Sequence, residues 1–112
     1  MLNTEYKFGE VHKLNDQISQ AADHVQFKNL FENNNGGVAL VAVQGGQELS
    51  THLAPAEIMV NVIEGEIEFT MLDKPHHLKA GEFMLVGEGV PHSVKAVSDA
   101  KLMIVKVKSD KA

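Results

Sequence analysis

The stretch Gly46-Gln47-Glu48-Leu49-Ser50-Thr51-His52-Leu53-Ala54-Pro55-Ala56-Glu57-Ile58, with Val60-Asn61-Val62-Ile63-Glu64-Gly65 after it, decides how this chain folds. It closes with Gly81-Glu82-Phe83-Met84-Leu85-Val86-Gly87-Glu88-Gly89-Val90-Pro91-His92. Glycines cut it into apolar runs of strand length, and one histidine sits near each end. The pattern is that of a small β-barrel with room for a site inside.

On the N-terminal side, Val38 to Val43 is wholly apolar and bounded by glycines, as in a strand covered on both faces. Before it, Asn33-Asn34-Asn35-Gly36-Gly37 predicts a hairpin turn, since Asn and Gly tolerate turn geometry. Val25, Phe27 and Phe31 fall at odd positions among polar neighbours, the alternation of a half-buried strand. Val11, Leu14 and Ile18 recur at helical spacing, so one or two helical turns are expected between Asp16 and Ala22.

On the C-terminal side, Pro55 cannot donate to a ladder and predicts a corner. Ile58 to Ile63 and Glu66 to Met71 read as strands, the second alternating with Ile67, Phe69 and Met71 on one face. Asp73-Lys74-Pro75 and Ala80-Gly81 predict turns on either side of His76 to Lys79. Phe83 to Val86, Pro91 to Val97 and Lys101 to Lys108 complete eight or nine strands, the spacing of a sandwich or barrel.

At 112 residues the chain is a single domain over 1–112, with an N-terminal extension of about 1–36 and a barrel of about 37–108. Apolar residues make up 44%, enough for a packed core. A net charge of −5 without a basic block argues against nucleic acid and an anionic membrane surface. The expected partners are a small-molecule ligand and a second copy in a homodimer. Absence of cysteine excludes disulfides, thiolate metal sites and cysteine nucleophiles. Met1 to Phe8 lacks the apolar core of a signal peptide, and no run reaches the roughly 18 apolar residues of a membrane span, so a cytoplasmic protein is expected.

The spacing around the two histidines resembles the paired signatures of the cupin family. Gly46, His52 and Gly65 match the first, Gly-x5-His-x-His-x(3,4)-Glu-x6-Gly; Gly81, Gly89 and His92 match the second, Gly-x5-Pro-x-Gly-x2-His-x3-Asn. The resemblance spans about residues 37 to 107. It implies an all-β, double-stranded β-helix (jelly-roll) cupin barrel, here with a short N-terminal helix, often dimeric. In metal-binding relatives two histidines and a glutamate of the first signature and the histidine of the second hold a divalent metal. Of these, His52 and His92 are kept, while Ala54 stands at the second histidine and Ile58 at the glutamate. Gly87 and Ala96 replace the proline and terminal Asn of the second signature.

Two imidazoles begin a transition-metal site, which generally takes three protein ligands or more. Glu57 is one residue from the required place, and on a regular strand that offset turns it to the opposite face, which an irregular turn after Pro55 would have to reverse. Asn61, His76 and His77 are weaker candidates, the histidine pair reading better as exposed hairpin residues. Met59, Met71, Met84 and Met103 read as core filler, and Glu66 and Glu68 as a solvated edge.

The ligand-binding residues assigned on this basis are His52, His92, Ile58, Val60 and Met84, with His52, His92 and Glu57 as the candidate metal set. Three functions compete. The preferred one is a barrel that binds a small carbohydrate-like or carboxylate molecule, with His52 and His92 as polar anchors and no metal. The second is a dioxygenase- or isomerase-type enzyme using a divalent transition metal. The third is a dimeric assembly module.

Overall fold

The computed structural model describes residues 1–108, so residues 109–112 of the single-domain reading lie outside the described residues. Nine strands follow a short 3-10 turn: β1 (Gln26–Asn33), β2 (Gly36–Val43), β3 (Glu48–Leu53), β4 (Glu57–Glu64), β5 (Glu66–Met71), β6 (Lys74–Lys79), β7 (Phe83–Val86), β8 (Pro91–Ala96) and β9 (Ala100–Val107). They form two antiparallel sheets, β1-β2-β9-β4-β7 and β3-β8-β5-β6. From β2 to β5 and again from β6 to β9 each strand passes to the other sheet, as in a jelly roll, while β1-β2 and β5-β6 are hairpins within one sheet. β1 lies inside the stretch assigned to the N-terminal extension, yet it pairs with β2 along its length, so the sheet begins ahead of residue 37.

The core sits between the sheets. Alternation sends Val41 and Val43 of β2, Ile58, Val60 and Val62 of β4, Ile67 and Phe69 of β5 and Leu102 of β9 inward, and all are buried. Each such side chain contributes on the order of 1.5–3 kcal/mol of transfer free energy. Gly65 turns β4 into β5 at φ +81°, where an added Cβ would collide with the carbonyl oxygen of Asp99. Only glycine fits both the left-handed backbone and that close approach.

Three local expectations are corrected. The helix between Asp16 and Ala22 is absent; one 3-10 turn, Leu14–Asp16, stands ahead of it. Val11 and Leu14 are exposed and only Ile18 of the row is half-buried, so the apolar spacing finds little surface to pack on, and a short helix without a buried face is not stable. The segment is held instead by polar ties: the Lys101 ammonium donates to the Asn15 carbonyl (2.6 Å), Gln20 to Ala100 (3.1 Å) and Gln47 to Ala21 (2.7 Å). The hairpin between β5 and β6 turns at Leu72-Asp73, both at positive φ, one residue before the predicted Asp73-Lys74-Pro75. Pro75 lies in β6, at the edge of its sheet, where a missing N–H is tolerated.

Finally, Phe27 and Phe31 are among the exposed residues of β1, with Asn29 and Asn33, whereas Lys28 and Glu32 are half-buried, with Gln26 and Leu30. A register shift at Leu30 leaves Phe27 opposite Val41 and Phe31 opposite Val38, which face opposite sides of the sheet. The predicted turn after β1 is present as Asn34-Asn35, with the Asn33 side chain accepting from the Asn35 N–H at 2.7 Å. Among the described residues no helix is long and apolar enough to cross a membrane.

Candidate functional site

Between the sheets a cavity of about 180 Å³ is lined by β1, β2, β3, β4, β5, β8 and β9. Its walls are mainly apolar and include Val41, Ile58, Val60, Phe69, Val94, Leu102 and Ile104. Phe27, His52 and Pro55 are its exposed members and form the rim.

His52 reaches the cavity through a bulge. Leu49 pairs with Val94 and His52 with His92, so three steps along β3 oppose two along β8. On a regular strand Leu49 and His52 would point to opposite faces; the extra residue in Ser50-Thr51 brings both inward. His92 is flanked in β8's pairings by His52 on one side and Met71 on the other, and is buried. The two imidazoles meet edge to face with centroids 4.1 Å apart and planes 61° apart, and the Phe69 ring lies 5.7 Å from His92.

Both rings are held alike. His52 Nδ1 lies 2.9 Å from the Ser50 carbonyl oxygen, and His92 Nδ1 lies 3.1 Å from that of Val90. A carbonyl only accepts, so each Nδ1 carries the hydrogen and each Nε2 is left as an acceptor. Among the described residues no buried side-chain nitrogen lacks a partner, and His92 Nε2 has none in the protein, so it keeps accessible surface; His92 lines this cavity and also a second hollow with Thr51, Thr70 and Ser93. Burial holds the His92 imidazole below its ordinary pKa; the Val90 carbonyl opposes that shift and the neighbouring His52 adds to it.

Of the other sequence-derived candidates, Ile58 and Val60 line the cavity and Met84 does not. Met84 pairs with Val60 from β7 and packs against the core. Glu57 does not turn inward: its carboxylate accepts from the Glu88 N–H at 2.9 Å, outside the barrel. Asn61 stands beside Phe83 on that outer side. His77 bonds the Glu66 carboxylate at 2.8 Å, and neither it nor His76 lines the cavity. Among the described residues no three His, Asp or Glu side chains converge. The donor set therefore does not fit a metal held by protein ligands alone, since Ala54 is buried without a donor atom and Ile58 is an apolar wall.

Lys106 was not singled out by sequence reasoning, yet it lines the same cavity. It follows Leu102 and Ile104 at intervals of two on β9, so strand alternation carries the signal that finds it.

A family model described as a cupin domain matches residues 39–108. No curated protein matches the chain. Among solved structures, a Streptococcus pyogenes protein of unknown function superposes with a TM-score of 0.85 at 23% identity, covering 95% of this chain and 93% of that one. A cupin superfamily protein from Desulfitobacterium hafniense gives 0.86 at 15% identity, over 97% and 99%. A cupin 2 conserved barrel domain protein from Leptotrichia buccalis gives 0.80 at 26% identity, over 85% of this chain and 46% of that one.

Proposed function

The chain belongs to the cupin domain family, matched over residues 39–108, and from that premise we propose that its barrel binds a small organic molecule with His52 and His92 as hydrogen-bond acceptors. One observation carries the reading: two imidazoles, each with Nδ1 tied to a carbonyl and Nε2 left as an acceptor, line a cavity whose other walls, Lys106 apart, are apolar. Such acceptors favour a ligand that donates a hydroxyl or amide hydrogen. About 180 Å³ lies below the roughly 300–1,000 Å³ of drug-sized pockets, so a short chain or a single ring is the fitting size.

The protein's own contribution is to bind and orient: the apolar wall excludes water, which strengthens each hydrogen bond made inside it. Screening a library of small hydroxylated and amide compounds by NMR tests this directly. Binding should move the His52 and His92 imidazole signals together. A screen in which no compound moves them rejects the reading.

A homodimer is part of the same proposal, supported by an uncovered outer strip. Met59, Leu85, Val105 and Val107 line a groove on the outside of β4, β7 and β9, and Leu85 and Val107 are exposed. Sedimentation at micromolar concentration tests it, and a monomer there removes it.

A further inference from the structure

The chain carries 15 acidic and 10 basic side chains, yet no carboxylate lines the cavity, where the one cationic side chain is Lys106. We propose that the occupant is a small monocarboxylic acid whose carboxylate pairs with Lys106 while a hydroxyl on its far side donates to His52 and His92. This rests on the binding function proposed above and names the chemical class that the cavity selects.

Lys106 stands on the inward row of β9, opposite Ile58 on β4 and opposite Gly37 on β2. It takes part in none of the three ion pairs found among the described residues. The nearest acidic position in that row, Glu32, is one strand further along and lines a separate polar groove with Asn3 and Asn33. Lys106 is half-buried, lines the cavity and has no ion-pair partner among the described residues, so a carboxylate entering the cavity finds an unneutralised partner. The apolar wall disfavours a second charge on the ligand, because Val41, Ile58 and Ile104 offer it no donor. Apart from Lys106, His52 and His92, every residue lining the cavity is apolar. The ligand's middle is correspondingly an apolar chain or ring.

Matched acids and methyl esters test the assignment: 4-hydroxybenzoate against methyl 4-hydroxybenzoate, and 3-hydroxybutyrate against its methyl ester. Affinities are read by calorimetry and by shifts of the His52 and His92 signals. In the unaltered protein at least one acid should bind about ten-fold or more tightly than its ester, as expected for one charge-assisted contact. Lys106→Met should bring acid and ester to equal affinity, and Lys106→Arg should keep the preference. An unchanged circular-dichroism spectrum and urea midpoint show that the Met variant is folded.

Equal affinities in the unaltered protein, or a preference that survives Lys106→Met, would overturn the carboxylate assignment and leave cavity binding standing. Probes that move no cavity signal in any variant overturn the assignment, and the broader screen then decides the binding function separately.

Discussion

His52 and His92 face each other across β3 and β8 with ring centroids 4.1 Å apart, each ring anchored through Nδ1 to the carbonyl two residues before it. Nitrogen-15 spectra above neutral pH should therefore find both as Nδ1–H tautomers. An Nε2–H tautomer at either position would remove the acceptor on which the proposed ligand contact depends.

The same pair sets a pH dependence. In the unfolded chain His92 keeps its proton up to its ordinary value of 6.5, whereas in the folded chain burial and His52 make it release the proton at lower pH. Between those two values folding must expel a proton, so stability falls as pH drops through that window and levels off below it. Urea midpoints should decrease from pH 7.5 toward pH 5, and His92→Gln should flatten that part of the profile.

Replacing His52 by Ala separates function from folding. His52 is exposed at the rim, so stability should move by no more than about 0.5 kcal/mol. Affinity for a hydroxylated probe should fall by about ten-fold, the worth of one hydrogen bond at the strong end of the neutral range. A large drop in the urea midpoint would mean that the ring supports the bulge rather than a ligand.

Gly65→Ala should destabilise the barrel by about 2 kcal/mol or more, combining the left-handed backbone cost with the collision at the Asp99 carbonyl. Chemical denaturation measures it. Alanine tolerated at this position would contradict the described turn.

Leu72→Asn should act in the opposite direction. Leu72 and Asp73 hold φ of 52° and 63°, the signs of a type I′ turn, in which asparagine is favoured and leucine is strained. Because Leu72 is exposed, little packing is lost, and the midpoint should rise by the equivalent of about 0.5–1 kcal/mol.

How far the sequence can be read differs from element to element. Gly46, Gly65, Gly81 and Gly89 all adopt positive φ, so their spacing reported real turns and the jelly roll could be read from them. The segment around Leu14 could not, because helical spacing shows only that a face exists and says nothing of a surface to receive it. At β3 the difficulty was parity. A motif counts residues, while a cavity counts faces, and the extra residue between Leu49 and His52 separates the two. Lys106 was overlooked for the converse reason: a charged residue near the end of an apolar strand reads as solvated, although alternation with Leu102 and Ile104 aims it inward.

The rim carries a last consequence, one of rates. Phe27 stands on β1 and His52 on β3, edge strands of different sheets that share no ladder of hydrogen bonds. The gap between them can widen by small independent displacements of two edges, without unpairing either sheet. Under the proposed binding function, entry and escape would be timed by the widening of that seam, where the exposed Phe27 ring stands. Trimming that ring would shorten residence and hasten arrival together, changing how long a guest stays more than how tightly it is held.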